Sequence, residues 1–129
     1  MTKYHIIIEN FANDPPKPHE ISAAKILTDF FKTDILFLRP GFGKTPDFRI
    51  KNELWELKSP TGNAKNTIGN NLRHARHQSP KIILDLSRCG FTDERAISRA
   101  KDYLKKYPNC IKNVIVITKH KEVLTIYGK

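Results

Sequence analysis

Asp47 follows a proline and is separated by eight residues from Glu56, which in turn stands two positions before Lys58. Two carboxylates that converge on one point repel each other unless a cation neutralises them, and a hard all-oxygen pair suits Mg²⁺ or Mn²⁺, with Zn²⁺ as the alternative. A cation held there can polarise a phosphoryl oxygen and acidify a water, while Lys58 orients that nucleophile or offsets the charge that grows on the phosphate. Hydrolysis of a phosphodiester is the chemistry the three residues permit. The plainer reading is an ion pair between Glu56 and Lys58 on a solvated strand, worth under about 1 kcal/mol. Asp47, together with the elements around it, tips the balance to a metal site.

Convergence depends on strands. Side chains alternate along a strand, so Glu56 and Lys58 share a face, and a hairpin can bring Asp47 beside them. Residues 47–50 and 53–58 have the composition of two strands, with Lys51-Asn52 as the tight turn between them, and residues 35–38 form a strand before them that Arg39-Pro40-Gly41 ends. By the same alternation Trp55 and Leu57 face the other way, into the core. Upstream, Ile21, Ala24, Leu27, Phe30 and Phe31 recur at helical spacing across 19–32, after a proline-rich lead-in that cannot sit inside a helix or a sheet centre. Residues 4–9 are compatible with a short first strand.

Downstream of the Ser59-Pro60-Thr61-Gly62-Asn63 loop, Ile68, Leu72 and Ala75 line one face of a second helix that stops before Ser79-Pro80. Asn66, Asn70, Arg73 and His77 lie on its other face. A strand over 81–86, a third helix over 92–107 with Thr92 as N-cap, and two strands over 113–118 and 123–127 complete the chain. The expected class is α/β (α+β): a core ordered α-β-β-β-α-β with a mixed sheet flanked by helices, then a C-terminal helix and two strands. No repeat or linker divides the 129 residues, so 1–129 reads as one domain, with 1–18 as its lead-in.

Twenty-three Lys and Arg against thirteen Asp and Glu give a formal charge of +10, a field able to draw in polyanions. No acid occurs between Glu56 and Asp85, where Lys58, Lys65, Arg73, Arg76 and Lys81 accumulate with His74 and His77. A one-signed block beside two candidate ligands points to nucleic acid, with Lys65, Asn66, Arg73, His77 and Gln78 as candidate substrate contacts. No apolar run is long enough to cross a bilayer and the N-terminus begins no signal peptide, so membrane is not an expected partner and the cytoplasm is the expected site of action. Cys89 and Cys110, without CxxC spacing, fit reduced thiols there.

Pro46-Asp47, then Glu56-Leu57-Lys58, resembles the motif of the PD-(D/E)XK nuclease superfamily, whose core is also helix, three-strand meander, helix, strand. That resemblance implies a metal site of Asp47 and Glu56. It also makes Glu20 on the first helix a third acidic member of the site, and Gln78 or His77 a polar residue supplied by the second helix. A closer resemblance spans most of the chain. His19-Glu20, Thr45-Pro46-Asp47-Phe48, the run from Trp55 through Lys58 to Asn63, and Asn71-Leu72-Arg73 followed by Gln78-Ser79 resemble the C-terminal toxin domains of CdiA-type contact-dependent growth inhibition proteins. Membership implies a nuclease that attacks tRNA or DNA and is held inactive by a cognate immunity protein, here expected to be acidic.

Two rival functions remain on the sequence. One is a metal-independent RNase of the barnase-like or colicin-like class, with Lys58 and His77 in acid-base roles. The other is a nucleic-acid-binding module without catalysis. Glu20 alone could simply favour a helix start, and Asp85 reads as a loop cap or as a partner for Arg88. Two decoys fail on physical grounds. Gly43-Lys44-Thr45 imitates the end of a P-loop, but Leu38 stands where its first glycine is needed and Pro46 opposes the helix that must follow. His19-Glu20 opens like a zinc-protease motif, but Ala23 occupies the second ligand position.

Overall fold

The computed structural model describes residues 4–8, 15–38 and 45–128. The expected Arg39-Pro40-Gly41 turn, Gly43 and Lys44 of the P-loop decoy, and Glu9 at the end of the first strand lie outside them. The elements run β1 (Ile6–Ile8), α1 (Pro18–Phe31), β2 (Ile35–Phe37), β3 (Phe48–Ile50), β4 (Glu53–Lys58), α2 (Thr67–Arg76), β5 (Lys81–Asp85), α3 (Asp93–Lys106), β6 (Asn113–Ile117) and β7 (Val123–Tyr127). This is the expected mixed α+β order. α1 starts one residue earlier than the apolar periodicity suggests, because Pro18 sits in the first turn, where a missing N–H breaks no hydrogen bond.

The seven strands form one sheet in sequence order. β2, β3 and β4 are an antiparallel meander, whereas β4, β5 and β6 run parallel because α2 and α3 carry the crossovers. The β3–β4 turn is as tight as expected: Lys51 and Asn52 both take positive φ, 49° and 66°, the two-residue geometry whose twist matches the flanking strands. That turn fixes the register, setting Phe48 opposite Trp55.

Alternation sorts the core into two layers. Trp55 and Leu57 join Ile35, Phe48, Ile50, Ile83 and Ile115 beneath Ala23, Ala24 and Leu27 of α1. Ile82, Leu84, Val114 and Val116 face the opposite way, beneath Ile68, Leu72 and Ala75 of α2 and Ala96, Ala100 and Leu104 of α3. Because Glu56 pairs with Ile82 and Lys58 with Leu84, these two polar side chains project on the α2 side. α3 is capped as expected, Thr92 accepting the Arg95 N–H at 3.2 Å. No helix among the described residues is long and apolar enough to cross a membrane.

Candidate active site

Asp47 enters β3 with its backbone already engaged, its carbonyl accepting the Leu38 N–H at 2.9 Å. Its Oδ2 accepts the Leu57 N–H at 2.9 Å, which draws the carboxylate across onto β4. There it meets Glu56, and the two side chains share a hydrogen bond. Glu56 Oε2 lies 3.5 Å from Lys58 Nζ. The hairpin thus gathers Asp47, Glu56 and Lys58 as the spacing required.

Burial sets the electrostatics. Glu56 is 5 % exposed, and removal from water together with the Asp47 charge pushes its carboxyl up to about 8, with Lys58 offsetting only part of the rise. Asp47 is likewise raised by its own desolvation, against the pull of the Leu57 N–H, and the Glu20 carboxylate adds to the rise. One proton is therefore held between the two carboxylates at neutral pH. Glu56 Oε1 is buried and has no hydrogen-bond partner. An orphaned carboxyl oxygen beside a second carboxylate suits a hard cation that takes the proton's place, and Mg²⁺ commonly binds through one or two carboxylates with water and substrate phosphate completing its shell. Among the described residues no group of three or more His, Cys, Asp and Glu is placed to hold a metal by itself, so protein ligation would rest on Asp47 and Glu56.

The family model for the contact-dependent growth inhibition CdiA C-terminal domain matches residues 44–123, which include β3, β4, α2, β5, α3 and β6. The chain belongs to this family. The fold is shared with a chain of the solved CdiA-CT/CdiI toxin and immunity complex from Burkholderia pseudomallei, at 18% sequence identity, a TM-score of 0.64, and coverage of 95% of this chain and 98% of that one. No curated protein sequence gives a significant match.

In this CdiA C-terminal domain Glu20 has two roles in view. Its Oε1 accepts the Lys17 N–H at 2.8 Å, capping α1, while its charge is felt by Asp47. The other candidates separate along α2. Lys65, Asn66, Arg73 and His77 are exposed, and Asn70, Arg73 and His77 point directly away from the buried Ile68, Leu72 and Ala75 stripe. His77, the C-cap, is at the end of α2 remote from Lys58: Ser79, just beyond it, donates to the Leu54 carbonyl near the start of β4.

One flank of α2 meets α3, where a Cβ on Gly69 would lie 3.5 Å from the Tyr103 ring and the Arg76 guanidinium sits 5.6 Å over Tyr107. The opposite flank, carrying Thr67 and Asn71, therefore turns toward the β4 side that bears Glu56 and Lys58. Asn71 donates to the Thr67 carbonyl at 2.8 Å, and Gln78 Oε1 is buried without a partner. Gln78, two residues past α2, lies at the same end as His77, remote from Lys58. Asn71 stands in the sequence run that resembles the CdiA-type toxin domains but is not among the expected contacts, and Thr67, four residues before it, was not singled out by sequence. Asp85 caps its own loop by accepting the Ser87 N–H at 3.0 Å, and Arg88 turns elsewhere, to His19.

Proposed function

We propose that this toxin domain is a metal-dependent nuclease that hydrolyses phosphodiester bonds in nucleic acid, with a PD-(D/E)XK-type site of Asp47, Glu56 and Lys58. The observation that carries the reading is the orphaned, buried Glu56 Oε1 beside Asp47 on a hairpin that also presents Lys58. The element order α1-β2-β3-β4-α2-β5 that surrounds it is the order of that superfamily's core.

The roles follow from position. Asp47 and Glu56 would hold a divalent cation, Mg²⁺ or Mn²⁺, and Glu20 would be the further acidic group available to it. When bound, the cation supplies Lewis-acid polarisation of the phosphoryl oxygen. Lys58, whose Nζ lies 3.5 Å from Glu56 Oε2, would orient the attacking water or neutralise the phosphate. Leu57, through its N–H, keeps the Asp47 carboxylate aimed while Trp55 anchors the strand from behind.

A metal-independent RNase built on Lys58 and His77 is less well supported. A helix of ten residues spans about 15 Å, and it separates the Lys58 end of α2 from its His77 end. The immunity partner named in the related complex supports a cognate immunity protein for this chain, and the +10 charge favours an acidic one. Incubation with tRNA and with plasmid DNA, in Mg²⁺ and in EDTA, tests the reading. Cleavage of either substrate that EDTA abolishes is expected, and undiminished cleavage in EDTA rejects the metal site.

A further inference from the structure

Lys58 is engaged with Glu56, and three carboxylates lie at this end of the sheet, so a polyanionic strand needs positive charge from another element to approach. The turn after β5 supplies it. Lys58 pairs with Leu84, and beyond them the two chains stay together, Gly62 bridging Cys89 and the Gly90 N–H reaching the Gly62 carbonyl at 2.8 Å. Arg88 projects from this turn, and its Nη2 lies 3.2 Å from His19 Nε2, across 69 residues of sequence. His19 precedes Glu20, the residue whose charge Asp47 feels. Arg88 is thereby brought to the start of α1, the end of that helix from which Glu20 acts on Asp47.

Nothing about folding requires this pair. Arg88 is exposed, and its charge meets no carboxylate among the described residues. A guanidinium has no acceptor, so His19 Nε2 must accept, and the contact occupies one nitrogen of an exposed guanidinium. The turn beneath is fixed on every side. Ser87 is held by Asp85 Oδ1, the Cys89 N–H by the Leu86 carbonyl at 3.1 Å, and Lys119 Nζ binds the carbonyls of both Leu86 and Cys89. A rigid support under an exposed, acid-free guanidinium suits recognition of a phosphate, whose oxygens match its fork.

We propose that Arg88, positioned by His19, binds a phosphate of the nucleic-acid strand at the mouth of the Asp47, Glu56 and Lys58 site; this rests on the nuclease reading above. Arg88 makes the contact and His19 is a positioning residue. The test compares the wild type with Arg88→Ala, Arg88→Lys, His19→Leu and His19→Gln on tRNA and plasmid DNA in Mg²⁺. Arg88→Ala should lower kcat/KM by about 10- to 100-fold, the worth of a charge-assisted hydrogen bond, while melting at the wild-type temperature, and added guanidinium should restore part of the rate. Arg88→Lys should recover less than full activity because it lacks the fork. His19→Leu should fall partway, and His19→Gln, whose amide oxygen accepts from the guanidinium, should recover most of the loss. In a cleavage-dead Asp47→Asn background, Arg88→Ala should flatten the salt dependence of binding by about one phosphate contact. A wild type that cuts neither substrate overturns the nuclease reading, and the clamp with it. A wild type that cuts while Arg88→Ala matches it in kcat/KM and salt slope overturns the clamp alone.

Discussion

The Asp47 carboxylate is tied to the strand that carries Glu56, taking the Leu57 N–H at 2.9 Å with Oδ2 while it hydrogen-bonds the Glu56 side chain. Asp47 thus serves the hairpin as well as the proposed chemistry, and the two uses separate by substitution. Asp47→Asn keeps an oxygen for the Leu57 N–H, whereas Asp47→Ala strands it. Both variants should lose cleavage, but only Asp47→Ala should lose about 1–3 kcal/mol of stability, the cost of an unmatched buried donor. Denaturant unfolding of the two variants measures the difference, and equal stabilities would remove the hairpin role.

Without added cation, stability should fall as pH rises from 4.5 toward 8. The folded state keeps a proton on Glu56 up to about 8, whereas the unfolded chain releases it near 4.5. In that window the native state binds more protons, so raising the pH favours unfolding, by up to about 1.4 kcal/mol per pH unit. Glu56→Gln, neutral at every pH, should flatten this slope and be the more stable protein at pH 8. Melting temperatures in EDTA across pH 5–8 give the answer, and parallel curves for wild type and Glu56→Gln would mean that Glu56 is not the group responsible.

Mg²⁺ or Mn²⁺ should raise the melting temperature, since a ligand of the folded state alone stabilises it by mass action. The gain should grow from pH 6 to pH 8, because the cation must displace the proton that Asp47 and Glu56 share. Asp47→Ala and Glu56→Ala should abolish the gain. Lys58→Ala should retain it, since the ammonium is no ligand, yet lose about 10²- to 10³-fold in kcat. Calorimetric or thermal-shift titration of the four proteins distinguishes binding from chemistry.

The two polar sides of α2 should behave differently. Gln78 Oε1, just past α2, is buried without a partner, so Gln78→Met should leave stability unchanged or improved, whereas Asn71→Ala, on the flank toward β4, should reduce cleavage if this flank receives substrate. Arg73→Ala, on the outward face, should weaken binding of all sequences alike and reduce the magnitude of the salt slope by about one, as loss of a phosphate contact does. An Arg73→Ala protein with unaltered affinity and slope would make that face a solvated surface.

Asn52→Gly should stabilise the β3–β4 turn. Asn52 holds φ at 66°, where glycine meets no steric cost, and Lys51 already occupies the other left-handed position. The register that sets Phe48 opposite Trp55 should tighten with it, and chemical denaturation should show a gain of a few tenths of a kcal/mol, about the size of a relieved left-handed side chain.

Much of this protein is written in short-range patterns. Period-two alternation is a property of any extended chain, so Glu56-Leu57-Lys58 alone put the two charged groups on one face and Leu57 on the other. Helical spacing placed Ile68, Leu72 and Ala75 inward, and proline positions bounded α1 and α2. The short Lys51-Asn52 turn brought Asp47 across from Glu56. What the tertiary structure alone decided is everything that depends on which neighbour an element meets. Periodicity separates the buried face of α2 from its opposite, but which flank overlooks β4 follows from the packing of Tyr103 against Gly69 on α3's side. The joining of His19 to Arg88 needed α1 and the turn after β5 to arrive at one end of the sheet. The shared proton is of the same kind, since a carboxyl rises to about 8 only when the folded chain withdraws it from water beside a second charge, and no order of residues along an extended chain can do that.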